Sequence, residues 1–232
     1  MKSILITGAS SGIGYATAQL FLKEGWRVGL VARRADRLNA LAEAYPNGVA
    51  LPADVTDAKA MRQAFETFGH IDVLFNNAGL FGTSGPIDEI ALEVWTEVMQ
   101  VNINGMFIAA QLAFEQMRKQ HEGGRIINNG SLSAYVPRPG SVCYTMSKHA
   151  VTGLTKTLSL DGRPYNIACG QIDIGNAESE LVAGLKAANP QMDTMDVKHA
   201  ATSVLHMAQM PAQANVQFMT VMATKMPYIG RG

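Results

Sequence analysis

Residues 4–6, Ile-Leu-Ile, run straight into Thr7-Gly8-Ala9-Ser10-Ser11-Gly12-Ile13-Gly14, and helix-forming sequence follows over residues 15–23. An apolar run, a glycine-rich turn and a helix read as strand, tight turn, helix. The same grammar repeats down the chain. Residues 27–32 are β-branched and apolar, residues 35–44 carry Leu38, Leu41 and Ala42 on one helical side, and residues 48–51 make a short strand. Residues 57–68 place Met61, Ala64, Phe65 and Phe68 at helical spacing before a strand at 72–75. Strands separated by helices of ten or more residues join through right-handed crossovers, which gives a parallel sheet with helices on both faces. Further strands are predicted at 125–129, 165–172 and 216–222, and further helices at 141–160, 178–188 and 196–207. The expected fold class is therefore α/β, a doubly wound parallel sheet of about seven strands. Residues 1–232 contain no repeat, low-complexity tract or Pro/Ser-rich linker, so one domain is expected.

Composition narrows the function classes. Hydrophobic residues make up 47% and charged residues 16% of the 232, which excludes disordered, collagen-like and coiled-coil chains. Nineteen Lys plus Arg balance nineteen Asp plus Glu, leaving no positive surplus to attract nucleic acid or an anionic membrane surface. Cys143 and Cys169 are too few for a disulfide framework, and no CxxC or HExxH spacing suggests a metal. No apolar run approaches the ~18 residues of a membrane span, and the short run after Met1 reads as a strand. The expected setting is the cytoplasm.

Residues 88–118 hold no proline and almost no glycine. A single helix there would be roughly 45 Å long, with apolar residues including Val94, Trp95, Val98, Phe107 and Phe114 on more than one side. Two readings are open: a partner subunit covers the excess, or the helix breaks near Gly105 and is buried within one subunit. The first makes the protein a homodimer or homotetramer.

Gly8, Gly12 and Gly14 follow the first strand and open the first helix, so backbone N–H groups and the helix N-terminus can face a diphosphate. Their GxxxGxG spacing with Thr7 in front resembles the short-chain dehydrogenase/reductase family. The likeness extends to Asp54-Val55 after the third strand, Asn76-Asn77-Ala78-Gly79 after the fourth, and Asn102, Ser131, Tyr144 and Lys148, with Tyr144 13 positions after Ser131 and opening Tyr-x-x-x-Lys. The resemblance implies a Rossmann-type fold and a nicotinamide cofactor. It places Gly8, Ser10, Ser11, Gly12, Ile13, Gly14, Asp54, Val55, Asn76, Ala78, Gly79, Tyr144 and Lys148 along that cofactor, with Asp54 at the adenine. It also implies a catalytic set of Asn102, Ser131, Tyr144 and Lys148.

Tyr144 and Lys148 are one helical turn apart, and a nearby ammonium is expected to lower the pKa of a phenol that would otherwise titrate near 10. Tyr144 is the expected acid/base, and Ser131 the group that hydrogen-bonds the substrate oxygen. Lys148, by resemblance, also contacts the nicotinamide ribose, and Asn102 holds a water that relays protons. Asn102 also reads as a helix-kink or capping residue, and the two readings are compatible. Cys143 and His149, though adjacent to the motif, are read as packing or surface residues.

The second strand ends at Ala32, where an acid would accept from a ribose 2′-OH, and Arg33-Arg34 follow. Guanidinium groups there suit a 2′-phosphate, so NADP is expected over NAD. The resemblance weakens at Ile174-Gly175-Asn176-Ala177-Glu178-Ser179, where the family usually has Pro-Gly-x-Val-x-Thr; Ala177 and Ser179 take over the cofactor contacts. Gly162 is read as a helix stop. Residues 178–197, with Leu181, Leu185, Met192 and Met195, occupy the place of a substrate lid. Together these features predict an NADP-dependent oxidoreductase interconverting a small carbonyl compound and an alcohol. The competing reading is a sensor or regulator that binds NADP without turnover.

Overall fold

The computed structural model describes residues 1–179, 182, 184, 186 and 191–229. Seven parallel strands form one sheet: β1 (Ser3–Thr7), β2 (Arg27–Ala32), β3 (Gly48–Pro52), β4 (Val73–Asn76), β5 (Gly124–Asn129), β6 (Ile167–Gly175) and β7 (Phe218–Met222). Their order is β3-β2-β1-β4-β5-β6-β7. The chain winds outward from β1 in one direction, then returns to β4 and winds out in the other. A crevice therefore opens at the carboxyl ends of β1 and β4, the place where ligands enter such sheets.

Helices α1 (Gly12–Lys23), α2 (Ala35–Ala44), α3 (Ala58–Phe68), α4 (Leu92–Met99), α5 (Met106–Arg118), α6 (Val142–Asp161) and α7 (Val197–Gln209) flank the sheet. Strand alternation decides which face each residue serves. Ile4 and Ile6 of β1 join Phe21, Leu38 and Val204 in one apolar layer with α1, α2 and α7. Leu5 joins Met61, Phe65, Leu112 and Met117 in the other, with α3 and α5. Full burial of a side chain such as Phe21 stabilises the fold by about 2–3 kcal/mol. Asp57 caps α3 by accepting from the Lys59 and Ala60 N–H groups, and Asp196 caps α7 by accepting from Lys198.

Three sequence expectations change here. The helix expected over residues 88–118 begins at Leu92, and a π-helical turn over Gln100–Gly105 separates α4 from α5. The irregularity falls where a break near Gly105 was one of the readings, because Gly105 packs directly against Val55 and the widened turn aims Asn102 inward. Strand β6 runs three residues past its expected end at Ile172, pairing Ile174 with Val221 and Gly175 with Met222. A proline at position 174 would lack the N–H for a strand ladder; Ile174 keeps it. Gly162 ends α6 in right-handed conformation, φ −75°, so its role is space: a side chain there would strike the Ile167 carbonyl. Asn166, φ 56°, supplies the left-handed residue that turns the chain into β6. The helix expected over 178–188 lies largely outside the described residues, as do Leu181 and Leu185.

Candidate active site

The first turn shapes the crevice. Gly8 (φ 70°) and Gly12 (φ 53°) adopt backbone conformations that side chains disfavour. Ser11 precedes α1 without a side-chain cap bond, which leaves the first N–H groups of that helix free of a bond from it. Across the carboxyl ends of the strands runs a row of polar bonds. Thr7 Oγ1 accepts from the Asn77 and Ala78 N–H groups at 2.8 and 3.0 Å. The Asn77 side chain donates to the Thr7 carbonyl at 2.9 Å and accepts from the Asn129 amide at 2.8 Å. Lys148 Nζ donates to the Asn129 carbonyl at 2.7 Å. β1, β4, β5 and α6 are thereby held in one register at the rim.

Above that rim lies a cavity of about 590 Å³, within the size range of small-molecule sites. Gly8, Ser10, Ser11, Gly12, Ile13, Arg33, Arg34, Asp54, Val55, Ala78, Gly79, Ser131, Tyr144, Lys148, Ala177 and Ser179 line it. Three expected residues stand behind the wall. Gly14 is pressed against the Gly8 carbonyl and the Asn77 side chain, and only hydrogen fits between. Asn76 points into the core, donating to the Met106 carbonyl at 2.8 Å and to Asn128 at 3.3 Å; its neighbour Asn77 faces the cavity instead. Asn102, fully buried, exchanges hydrogen bonds with the Leu80 backbone at 2.9 and 2.8 Å and donates to Ser147 Oγ at 3.0 Å. It ties the π turn to α6 and to the wall segment that carries Leu80.

At one end of the cavity, Arg34 Nε donates to Ser10 Oγ at 3.0 Å, and Arg33 faces Asp54 at 3.9 Å. At the other end stand Ser131, Tyr144 and Lys148, with Phe81 edge-on to the Tyr144 ring at 4.5 Å. Burial pushes the Tyr144 phenol above its ordinary value; the Ser131 hydroxyl and the Arg138 charge oppose this, and Asp173 adds to it. The expected downward shift of Tyr144 is therefore reversed. Lys148 Nζ is turned onto the Asn129 carbonyl, 5.4 Å from the Tyr144 ring centroid, and is not among the groups that pull the phenol down. Burial also brings the Lys148 ammonium down to about 8, with Asp173 pulling it back up.

Sequence reasoning missed several parts of this end. Asp173, 1% exposed, accepts from the Ser131 N–H at 2.8 Å and from Gln171 at 2.7 Å. Arg138, Val136 and the returning segment Met226, Pro227 and Tyr228 also line the cavity. That segment reaches it by packing Met226 against Gly175, which has no side chain to hold it off. Cys143 is buried, and His149 is exposed with Nδ1 on the Thr145 carbonyl, as their sequence reading held.

A dinucleotide fits these residues: a glycine-rich turn at a helix N-terminus without a side-chain cap bond lies between a pair of guanidinium groups and a hydroxyl, phenol and ammonium set. Sheet order, glycine turn and rim chemistry together define a dinucleotide-binding protein of the doubly wound class. The family described as short chain dehydrogenase matches residues 2–190. Sulfoacetaldehyde reductase 2 of Chromohalobacter salexigens is 32% identical over 237 residues, covering 96% of this chain and 94% of the relative. A 3beta-hydroxysteroid dehydrogenase of Mediterraneibacter gnavus is 36% identical over 188 residues, covering 78% and 67%. A short chain dehydrogenase from Burkholderia cenocepacia, solved in complex with NADP, aligns with a TM-score of 0.84 at 29% identity, covering 95% of this chain and 96% of that one. The chain belongs to the short-chain dehydrogenase/reductase family of oxidoreductases.

Proposed function

We propose that this protein is an NADP-dependent oxidoreductase that interconverts a small carbonyl compound and an alcohol. The observation that carries the reading is the meeting of Ser131, Tyr144 and Lys148 at one end of a cavity whose other end holds Arg33 and Arg34. The nicotinamide, when bound, supplies hydride to the carbonyl carbon or takes it from the alcohol. Tyr144 gives its hydroxyl proton to the carbonyl oxygen as the C=O π bond opens; in the other direction it receives that proton. Ser131 donates a hydrogen bond to the same oxygen and holds it against Tyr144. The Ser131 hydroxyl and the Arg138 charge favour the phenolate left behind, Lys148 would hold the nicotinamide ribose from the same helix, and Asn102 fixes the wall and α6 around them. A non-catalytic sensor has no observation in its favour, and Ser131, Tyr144 and Lys148 together at the cavity support turnover.

The Gly8–Gly14 turn would hold the diphosphate, Asp54 and Val55 the adenine, and Arg33 and Arg34 with Ser10 a 2′-phosphate. Ala177 and Ser179 would bound the nicotinamide side. Their segment is tied down by bonds from the Met195 N–H to the Asn176 carbonyl and from the Glu178 N–H to the Met195 carbonyl, at 3.0 and 2.8 Å. Those bonds close the base of residues 178–197, which we read as the substrate lid of a single domain. Exposed Leu92, Phe107, Met146 and Leu160 on α4, α5 and α6 support a homodimer or homotetramer. Two buried, unpaired thiols suit a reducing compartment such as the cytoplasm.

The relatives' names span a sulfonated aldehyde and a steroid, so the substrate must be read from this chain's own cavity. The test of the function is calorimetric titration with NADPH and NADH, followed by a carbonyl panel scored as loss of NADPH absorbance. Tighter binding of NADPH together with turnover is the expected result; binding of neither cofactor overturns the reading.

A further inference from the structure

Arg138 belongs to the catalytic end of the cavity. It shares that wall with Phe81, Val136, Met226 and Tyr228, all apolar or uncharged. Phe81 stacks on the Tyr144 ring, which places this lining around the reacting hydroxyl. The guanidinium is close enough to lower the cost of ionising Tyr144.

Its position is built. The Arg138 carbonyl accepts from Ser141 Oγ at 2.7 Å at the start of α6, and the Gly140 carbonyl accepts from the Gly85 N–H at 3.0 Å. The loop is thus clamped on both sides of the crevice. Arg138 itself is half-buried, and among the described residues its guanidinium meets no carboxylate. Of the described residues lining the cavity, Asp54 is the one carboxylate, and it faces Arg33 at the far end.

A half-buried arginine on the cavity wall that meets no carboxylate among the described residues presents a planar fork that matches a carboxylate or a comparable oxyanion. A neutral ketone or a steroid would leave that fork facing apolar surface. We propose that the substrate is a small carbonyl compound bearing an anionic group, and that Arg138 binds this group and turns the carbonyl toward Tyr144 and Ser131. The proposal rests on the reductase reading above and deepens it by naming a substrate class. Arg138 acts on the part of the substrate that does not react, so it supplies binding and orientation.

The experiment compares charged and neutral versions of one carbon skeleton with NADPH. 3-Oxobutanoate and 4-oxopentanoate are assayed beside their methyl esters, with sulfoacetaldehyde as the sulfonate arm. The expected result is a higher kcat/KM for the acids than for the esters. Arg138→Ala should cut the acid-to-ester ratio of kcat/KM by about 10- to 100-fold, chiefly through KM, and Arg138→Lys should restore part of it. Preference for sulfoacetaldehyde over both acids, lost in Arg138→Ala, assigns the site to a sulfonate and upholds the proposal. Esters turned over as well as acids by the unaltered protein overturn it and leave the reductase standing, as does an unchanged ratio in Arg138→Ala. A loss of NADPH affinity in Arg138→Ala equal to the loss in kcat/KM moves Arg138 to the cofactor and also overturns it. Cofactor binding with no turnover of any acid, ester or sulfonate removes the functional reading and the proposal together.

Discussion

Lys148 Nζ donates to the main-chain carbonyl of Asn129 at 2.7 Å, so the ammonium of α6 is anchored to the end of β5. The anchoring keeps the charge beside Tyr144 but deep in the protein, and burial lowers its pKa to about 8. The folded value lies below the ordinary one, so the proton is lost on the alkaline side of neutrality while a solvated lysine would still hold it. Carbonyl reduction should therefore decline as pH rises through about 8. Asp173 opposes the shift with its negative charge, so Asp173→Asn should move the alkaline limb to lower pH. Profiles of kcat/KM against pH for the two proteins check this, and coincident limbs would detach Asp173 from the titration.

The Ser131 hydroxyl hydrogen-bonds the Tyr144 phenol at the cavity. Tyr144→Phe removes the proton donor and keeps the ring that stacks on Phe81. Turnover should fall at least ~100-fold, while NADPH affinity measured by fluorescence titration changes little. Retained turnover would pass the proton transfer to another group.

Arg34 bonds Ser10 at 3.0 Å, and Arg33 lies 3.9 Å from Asp54 across the mouth of the adenine end. The Arg33–Asp54 pair is exposed enough to re-form around a phosphate at little cost. Arg33→Ala and Arg34→Ala should each weaken NADPH by roughly 10-fold or more, as loss of a charge-assisted hydrogen bond implies, and weaken NADH far less. Equal losses with the two cofactors would mean that neither guanidinium reads the 2′-phosphate.

Asn102 makes three hydrogen bonds from a fully buried position. Asn102→Ala leaves the Leu80 backbone groups and Ser147 without this partner, a loss of about 2–3 kcal/mol. A thermal scan should show Tm lower by roughly 5–10 °C, and activity should fall even at temperatures where the variant is folded. Unchanged stability would show that the π turn does not depend on this side chain.

Legibility in the sequence followed locality. β1, the glycine turn and α1 are contiguous, and their apolar spacing alone specifies them. Ser131, Tyr144 and Lys148 share one short stretch whose pattern resembles the family's, and the resemblance is what picks them out. The extension of β6 depended on what Ile174 permits in place of proline, which no periodicity records. Asn76 and Asn77 are adjacent and chemically identical; only the strand pleat decides that the first enters the core and the second the cavity. Tyr144 was given the wrong sign of shift because helical spacing reveals a neighbouring ammonium but not the burial that outweighs it. Arg138 and the Met226–Tyr228 return were missed for a different reason: their place follows from a loop clamp and from Gly175, both set by distant segments. A lone arginine in Val136-Pro137-Arg138-Pro139, midway between Ser131 and Tyr144, was the available signal.

The row of bonds from Thr7 through Asn77 and Asn129 to Lys148 bears on how this rim can change over generations. One bond of the row, from the Asn129 amide to Asn77 Oδ1, joins two side chains, so replacing either orphans the other, whereas Thr7 and Lys148 bond main-chain groups that survive a replacement opposite them. Positions 77 and 129 should consequently drift together or not at all, and descendants of this chain that exchange one will carry the matching exchange at the other, while positions 7 and 148 answer only to the backbone they hold.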